Sequence, residues 1–149
     1  MDLKFRVAAR VGRPVHEVFE AVADPAQLSS YFTTGGASAR LESGATVTWD
    51  FADFPGAFPV HVGNVVPDEK IAFRWQANEP GKDYELGVTM RFSPVGNDRT
   101  KVEVEESGWH DNEAARKASY GNCMGWSQMV AALKMWVEHG INMRERMYK

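Results

Sequence analysis

Between residues 37 and 107 the apolar residues of this chain recur, in short runs, at every second position; from Glu113 the period changes to 3.6 and holds until Gly140. A period of two places alternate side chains on one face of a strand, and a period of 3.6 gathers them on one stripe of a helix. The chain is therefore expected to fold as a series of strands followed by one long helix, each with an apolar face that the other can cover.

The N-terminal third shows the same change of period. Residues 4 to 11 read KFRVAARV, with Phe5, Val7, Ala9 and Val11 on one side and Lys4, Arg6 and Arg10 on the other, a half-buried strand. Pro14 suits a first helical position, and Val15, Val18, Phe19 and Val22 follow at i, i+3, i+4 and i+7 until Asp24-Pro25 stops the helix. PAQLSSYF can add one helical turn, and Thr33-Thr34-Gly35-Gly36 supplies a flexible connection.

ASARLE and TVTWDF read as a hairpin turning at Glu42-Ser43-Gly44-Ala45, with Val47, Trp49 and Phe51 on one face. ADFPGAFP at 52 to 59, with two prolines and a glycine, reads as an apolar loop. VHVGNVV and IAFRW flank a turn at Pro67-Asp68-Glu69-Lys70, the second strand carrying Ile71, Phe73 and Trp75 on one face. YELGVTMRF carries Tyr84, Leu86, Val88, Met90 and Phe92, and VGNDRT turns into KVEVEESGW. On the long helix Trp126, Val130, Leu133 and Val137 form one stripe beside Met129 and Trp136. The tail INMRERMYK is a frayed helical turn or a segment packed on a partner.

Several classes of function find no support. The net charge is −3 with Lys and Arg scattered, so no basic stripe is available for nucleic acid. No window of 18 apolar residues would span a membrane. The lone Cys123 cannot close an internal disulfide and MDLKFRVAAR lacks a signal-peptide core, so a cytoplasmic location is expected. His16, His61, His110 and His139 have no metal-ligand spacing, and no glycine-rich nucleotide motif occurs, so neither a metal nor a cofactor is expected. One domain, 1–149, is the expectation for this length.

The order of elements, together with PVHEVFEAVADPAQLSSYF, GNVVPDEKIAFRW, and VEVEESGW followed by GWSQMVAALKMWVEHG, resembles the START-like, or Bet v 1-like (SRPBCC), superfamily. Within it the chain is most similar to the branch named for the C-terminal domain of the Hsp90 ATPase activator. The resemblance implies an α+β helix-grip fold: a curved antiparallel sheet of six to seven strands around the C-terminal helix, with two short helices after the first strand. It implies a pocket between sheet and helix, in a superfamily that includes lipid carriers, polyketide cyclases and co-chaperones.

By parity such a pocket is lined by Trp49, Phe51, Phe73, Trp75, Met90, Phe92 and Val104 from the strands, and by Trp126, Met129, Val130 and Leu133 from the helix. A void of roughly 300 Å³ left empty would cost on the order of 7 kcal/mol, so the space is either collapsed or occupied. Glu106 shares the parity of Val102 and Val104: it points inward, as an anchor for a ligand hydroxyl or amine or as an acid/base group, or it sits exposed at the strand end. His110-Asp111 lies at the pocket mouth or forms a turn, and Cys123 reads as a small buried hydrophobe.

The leading expectation is a binding module for a small hydrophobic or amphipathic ligand. A second reading is an enzyme of the cyclase, dehydratase or hydrolase type using Glu106 or His110 as acid/base, although no catalytic set is evident. A third is an Hsp90-activator-like interaction domain. Self-association, as a homodimer through the sheet edge or the tail, is a further possibility.

Overall fold

A computed structural model describes residues 2–149. Strand β1 (Phe5–Val11) is followed by helices α1 (Val15–Ala23) and α2 (Pro25–Leu28). Then come β2 (Gly36–Ala37), β3 (Thr46–Phe51), β4 (Phe54–Val66), β5 (Lys70–Gln76), β6 (Glu85–Pro94), β7 (Thr100–Ser107) and the long helix α3 (Glu113–His139). The strands form one antiparallel sheet in the order β1-β7-β6-β5-β4-β3-β2. From β2 to β7 consecutive strands pair, whereas β1 and β2 lie on opposite edges, because β7 returns to lie beside β1 and so joins the two ends of the chain's strand region.

Curvature lets a single helix cover most of the apolar face. Val47, Trp49, Val60, Ile71, Phe73, Val88, Met90, Val102 and Val104 are buried on that face, in one core with Trp126, Met129, Val130, Ala132 and Leu133 of α3. The helix is set by its ends. Asn112 accepts the Ala115 N–H at 2.8 Å as N-cap, and Gly140, at φ 68°, closes the C-terminus with its N–H on the Trp136 carbonyl. Near that end Glu138 accepts the Gly12 N–H at 2.7 Å and Lys134 donates to the Arg10 carbonyl at 3.1 Å, which fixes α3 against β1.

Three sequence readings need correction. Pro14 precedes α1 as its N-cap instead of occupying the first helical position. ASARLE does not form a strand: only Gly36 and Ala37 pair with β3. Beyond Ser38 the chain is drawn to α1, where Arg40 makes two 2.7 Å bonds to Glu20 and Leu41 is buried with its N–H on the Ala23 carbonyl. Those contacts outweigh the alternation, which carries only a weak preference by itself.

The segment 52–59 is the third. Only Ala52 and Asp53 turn, and Phe54 onward belongs to β4, paired with β3 through Phe51↔Phe54, Trp49↔Phe58 and Thr48↔Pro59. Proline is tolerated because β5 pairs with β4 only from His61 onward, so Pro55 and Pro59 interrupt no ladder on that side.

Candidate functional site

Along β7 every second residue points into the core, and the alternation that buries Thr100, Val102 and Val104 continues to Glu106. Its carboxyl is 0% exposed, so the strand-end alternative is excluded. Burial of a carboxyl in an apolar interior requires partners. Oε2 accepts the indole N–H of Trp75 from β5 and that of Trp126 from α3, each at 3.1 Å, and Oε1 accepts the Asn122 amide at 2.8 Å. Asn122 and Trp126 stand four residues apart and so share one face of α3. The carboxyl thus ties two strands to the helix.

All of these donors are neutral, and among the described residues no cation pairs with Glu106. Burial raises its pKa above the ordinary glutamate value, opposed by the bonds from Asn122, Trp126 and Trp75 and by the nearby Trp109. Trp109 Nε1 itself is buried without a hydrogen bond of normal geometry. A carboxyl whose pKa is raised on folding binds protons more readily in the native state. The native state is therefore favoured at low pH and loses that advantage as pH rises from the unfolded glutamate pKa through the raised native one. Denaturant midpoints of wild type and Glu106→Gln across this window should converge or cross as pH rises, with the wild type losing relative stability; a pH-independent difference would contradict it.

Around this group the aromatic side chains meet ring on ring. Trp126 lies 5.4 Å from Trp75 and 5.6 Å from Phe32, and Trp49 lies 5.3 Å from Phe73 and 6.0 Å from Trp75. Phe51 continues the array at 5.1 Å from Phe32, and Phe58 bridges Phe51 to Trp75. Within it the Trp49 indole N–H is buried without a hydrogen-bond partner, a cost of about 1–3 kcal/mol for an unmet donor.

Of the residues assigned by parity, Trp49, Phe73, Met90, Val104, Glu106, Trp126, Met129, Val130 and Leu133 are buried between sheet and helix, with Phe51 and Trp75 half-buried beside them. Phe92 is buried too, but its ring meets Phe19 of α1 edge-on at 5.4 Å. Phe32, Phe58 and Asn122 join the site without having been singled out. Asn122 carried a usable signal, the i, i+4 spacing to Trp126, whereas Phe32 and Phe58 lie in segments without a clear period.

The second polar candidate goes elsewhere. His110 stacks on Tyr84 with centroids 3.6 Å apart, and its Nδ1 is 3.8 Å from Glu79. Glu79, 3% exposed, accepts the Tyr84 hydroxyl at 2.7 Å and the Asn112 amide at 3.4 Å. These bonds brace the entry to α3 and do not converge with Glu106. Among the described residues no group of three or more His, Cys, Asp or Glu is placed to hold a metal, and no helix is long and apolar enough to cross a membrane.

The family described as Activator of Hsp90 ATPase homolog 1-like protein matches residues 13–138. No curated protein matches the chain. Among solved structures, DynU16, a protein of the dynemicin biosynthetic locus, is 29% identical with a TM-score of 0.78 over 93% of this chain, which spans about half of it (48%). Protein SSP2350 from Staphylococcus saprophyticus is 25% identical with a TM-score of 0.79, covering 95% of this chain and 96% of its own. The Aha1 dimer from Colwellia psychrerythraea, 18% identical with a TM-score of 0.76, covers 93% of this chain and 98% of its own and shares the fold.

Proposed function

Because this chain belongs to the Activator of Hsp90 ATPase homolog 1-like family, within the SRPBCC superfamily, we propose that it binds a small hydrophobic or amphipathic molecule between the sheet and α3, with Glu106 as the polar anchor. The observation that carries this reading is a fully buried carboxyl held only by neutral donors at the centre of an aromatic array. For stability alone such an arrangement is a poor bargain, since apolar side chains of similar volume would avoid the desolvation. As a recognition group it makes sense: an apolar body can lie against the rings while a hydroxyl or amine takes one of the carboxylate positions now held by an indole or amide.

The unmet Trp49 N–H supports the same reading, since it offers a donor to a ligand acceptor within the same aromatic array, its ring packing on Trp75. So does DynU16, whose place in a biosynthetic locus fits a fold that handles small molecules. The rings occupy the lumen in the structure described, so binding requires side-chain rearrangement, and the ligand's area must exceed the contacts it displaces. A ligand burying about 300 Å² of apolar surface would gain about 7 kcal/mol before losses, enough for micromolar binding once Glu106 contributes.

Native mass spectrometry of gently purified protein, with a thermal-shift panel of fatty alcohols, sterols, flavonoids and aromatic amines, tests the proposal. A bound small molecule, or a saturable rise in midpoint that Glu106→Gln weakens about tenfold, is expected. An empty protein that no member of the panel stabilises would refute it.

A further inference from the structure

The tail beyond α3 carries a guanidinium into the mouth of the aromatic array. The Arg144 guanidinium carbon lies 4.6 Å from the ring centroid of Phe51, 5.1 Å from that of Tyr148 and 5.7 Å from that of Phe32. Its Nη2 donates to Asp53 Oδ1 at 3.1 Å, and the two side chains are only 11% and 13% exposed. Apart from Tyr148, which the tail itself carries, the faces of Phe32 and Phe51 and the Asp53 carboxylate make an organic-cation receptor, in which ring quadrupoles and a carboxylate act together away from water.

The fit of Arg144 to this receptor is incomplete. Its Nε and the Oδ2 of Asp53 are both buried without a hydrogen-bond partner, so a pair capable of two parallel bonds makes one. The tail that delivers it has no regular structure beyond turns, and Ile141 at its start is 53% exposed. Tyr148 adds a hydrogen bond to Gln128 of α3 and a ring contact to the half-exposed Phe54. The space beneath, bounded by Tyr31, Phe32, Met129 and Ala132, has no room for a water molecule, so the tail packs closely over these residues. Phe32 and Phe51 are shared between the receptor and the array that leads through Trp126 and Trp75 to Glu106.

We infer that Phe32, Phe51 and Asp53 form a binding site for a guanidinium or substituted ammonium group, that Arg144 fills it as a self-ligand, and that the tail is a lid displaced by ligands with such a group on an apolar body. The inference rests on the reading that the lumen opens to ligands, and it narrows the class. A free guanidinium can satisfy both oxygens of Asp53 while its apolar body follows the rings inward, whereas an anionic ligand would meet the Asp53 carboxylate at the mouth.

The test compares benzylguanidinium with benzylurea, its neutral analogue of similar shape, by isothermal titration calorimetry. Arg144→Ala, which vacates the receptor and keeps Tyr148, should bind benzylguanidinium at least about tenfold more tightly than wild type and prefer it to benzylurea by a similar factor. Asp53→Asn in the Arg144→Ala background should remove the preference. In wild type, which needs no variant to fold, benzylguanidinium near saturation should raise amide hydrogen exchange over residues 141–149. Equal binding by Arg144→Ala and wild type, equal binding of the urea, no binding of either compound, or an unchanged tail on binding would each overturn the inference. Nile red, a neutral dye, separates the two claims: if it binds in competition with tryptophol while the cation shows no preference, the receptor fails and the binding lumen stands.

Discussion

Replacing Glu106 with alanine is expected to lower the unfolding free energy by about 4 kcal/mol, a fall in thermal midpoint of about 12 °C for a chain of this size. The loss has two sources of opposite sign. Removing a buried carboxyl relieves its desolvation, but it strands the indole N–H of Trp126 in the interior and takes from the half-buried Trp75 indole and Asn122 amide the acceptor they are bonded to. Each stranded donor costs about 1–3 kcal/mol, so the second effect wins. The assignment can be separated from simple loss of volume by a double-mutant cycle: in a Trp75→Phe background one donor is already gone, and Glu106→Ala should cost about 1 kcal/mol less. A loss below about 1 kcal/mol, with no coupling to Trp75, would mean that the carboxyl does not hold the sheet to the helix.

Trp126→Ala should cost about 4–5 kcal/mol, since it removes a large buried side chain and one donor to Glu106 together. Its indole is also central to the array, touching Phe32, Phe73 and Trp75. The variant would open a cavity lined by those rings with a carboxylate at one side, and added indole should refill it. The expected result is a saturable rise in the thermal midpoint of Trp126→Ala with indole, with 1-methylindole, which lacks the N–H donor, binding about tenfold more weakly. Equal effects of the two compounds would show a lumen that selects by shape alone. Absence of any effect would show that the site collapses when emptied.

The ends of α3, the pairing of the later strands and the inward set from Phe73 to Val104 were legible in the sequence because each depends on local periodicity or on a cap. Glu106 itself could be read as inward or as exposed at a strand end; which of the two holds depends on α3 covering Val104 and its neighbours, a long-range fact. The failures have the same origin. Arg40 and Leu41 leave the sheet because Glu20 and Ala23, twenty and eighteen residues earlier, offer them better partners. The prolines of 52–59 suggested a loop, and only the absence of a β5 partner before His61 makes a strand possible there. Arg144 gave no signal at all, because a tail without a period says nothing about the rings it reaches.

The family follows from the match over residues 13–138 and the fold from the sheet-and-helix architecture, whereas the anchoring of a ligand at Glu106 is a proposal. The most direct measurement is a titration followed through the tryptophan indole N–H resonances of ¹⁵N-labelled wild-type protein, using tryptophol, a sterol and a flavonoid as neutral amphiphiles. At least one of them should shift the Trp75 and Trp126 signals together, saturably, and Glu106→Gln should weaken this binding about tenfold. Signals of Trp75 and Trp126 that stay fixed with every compound, or move equally in Glu106→Gln, would contradict it.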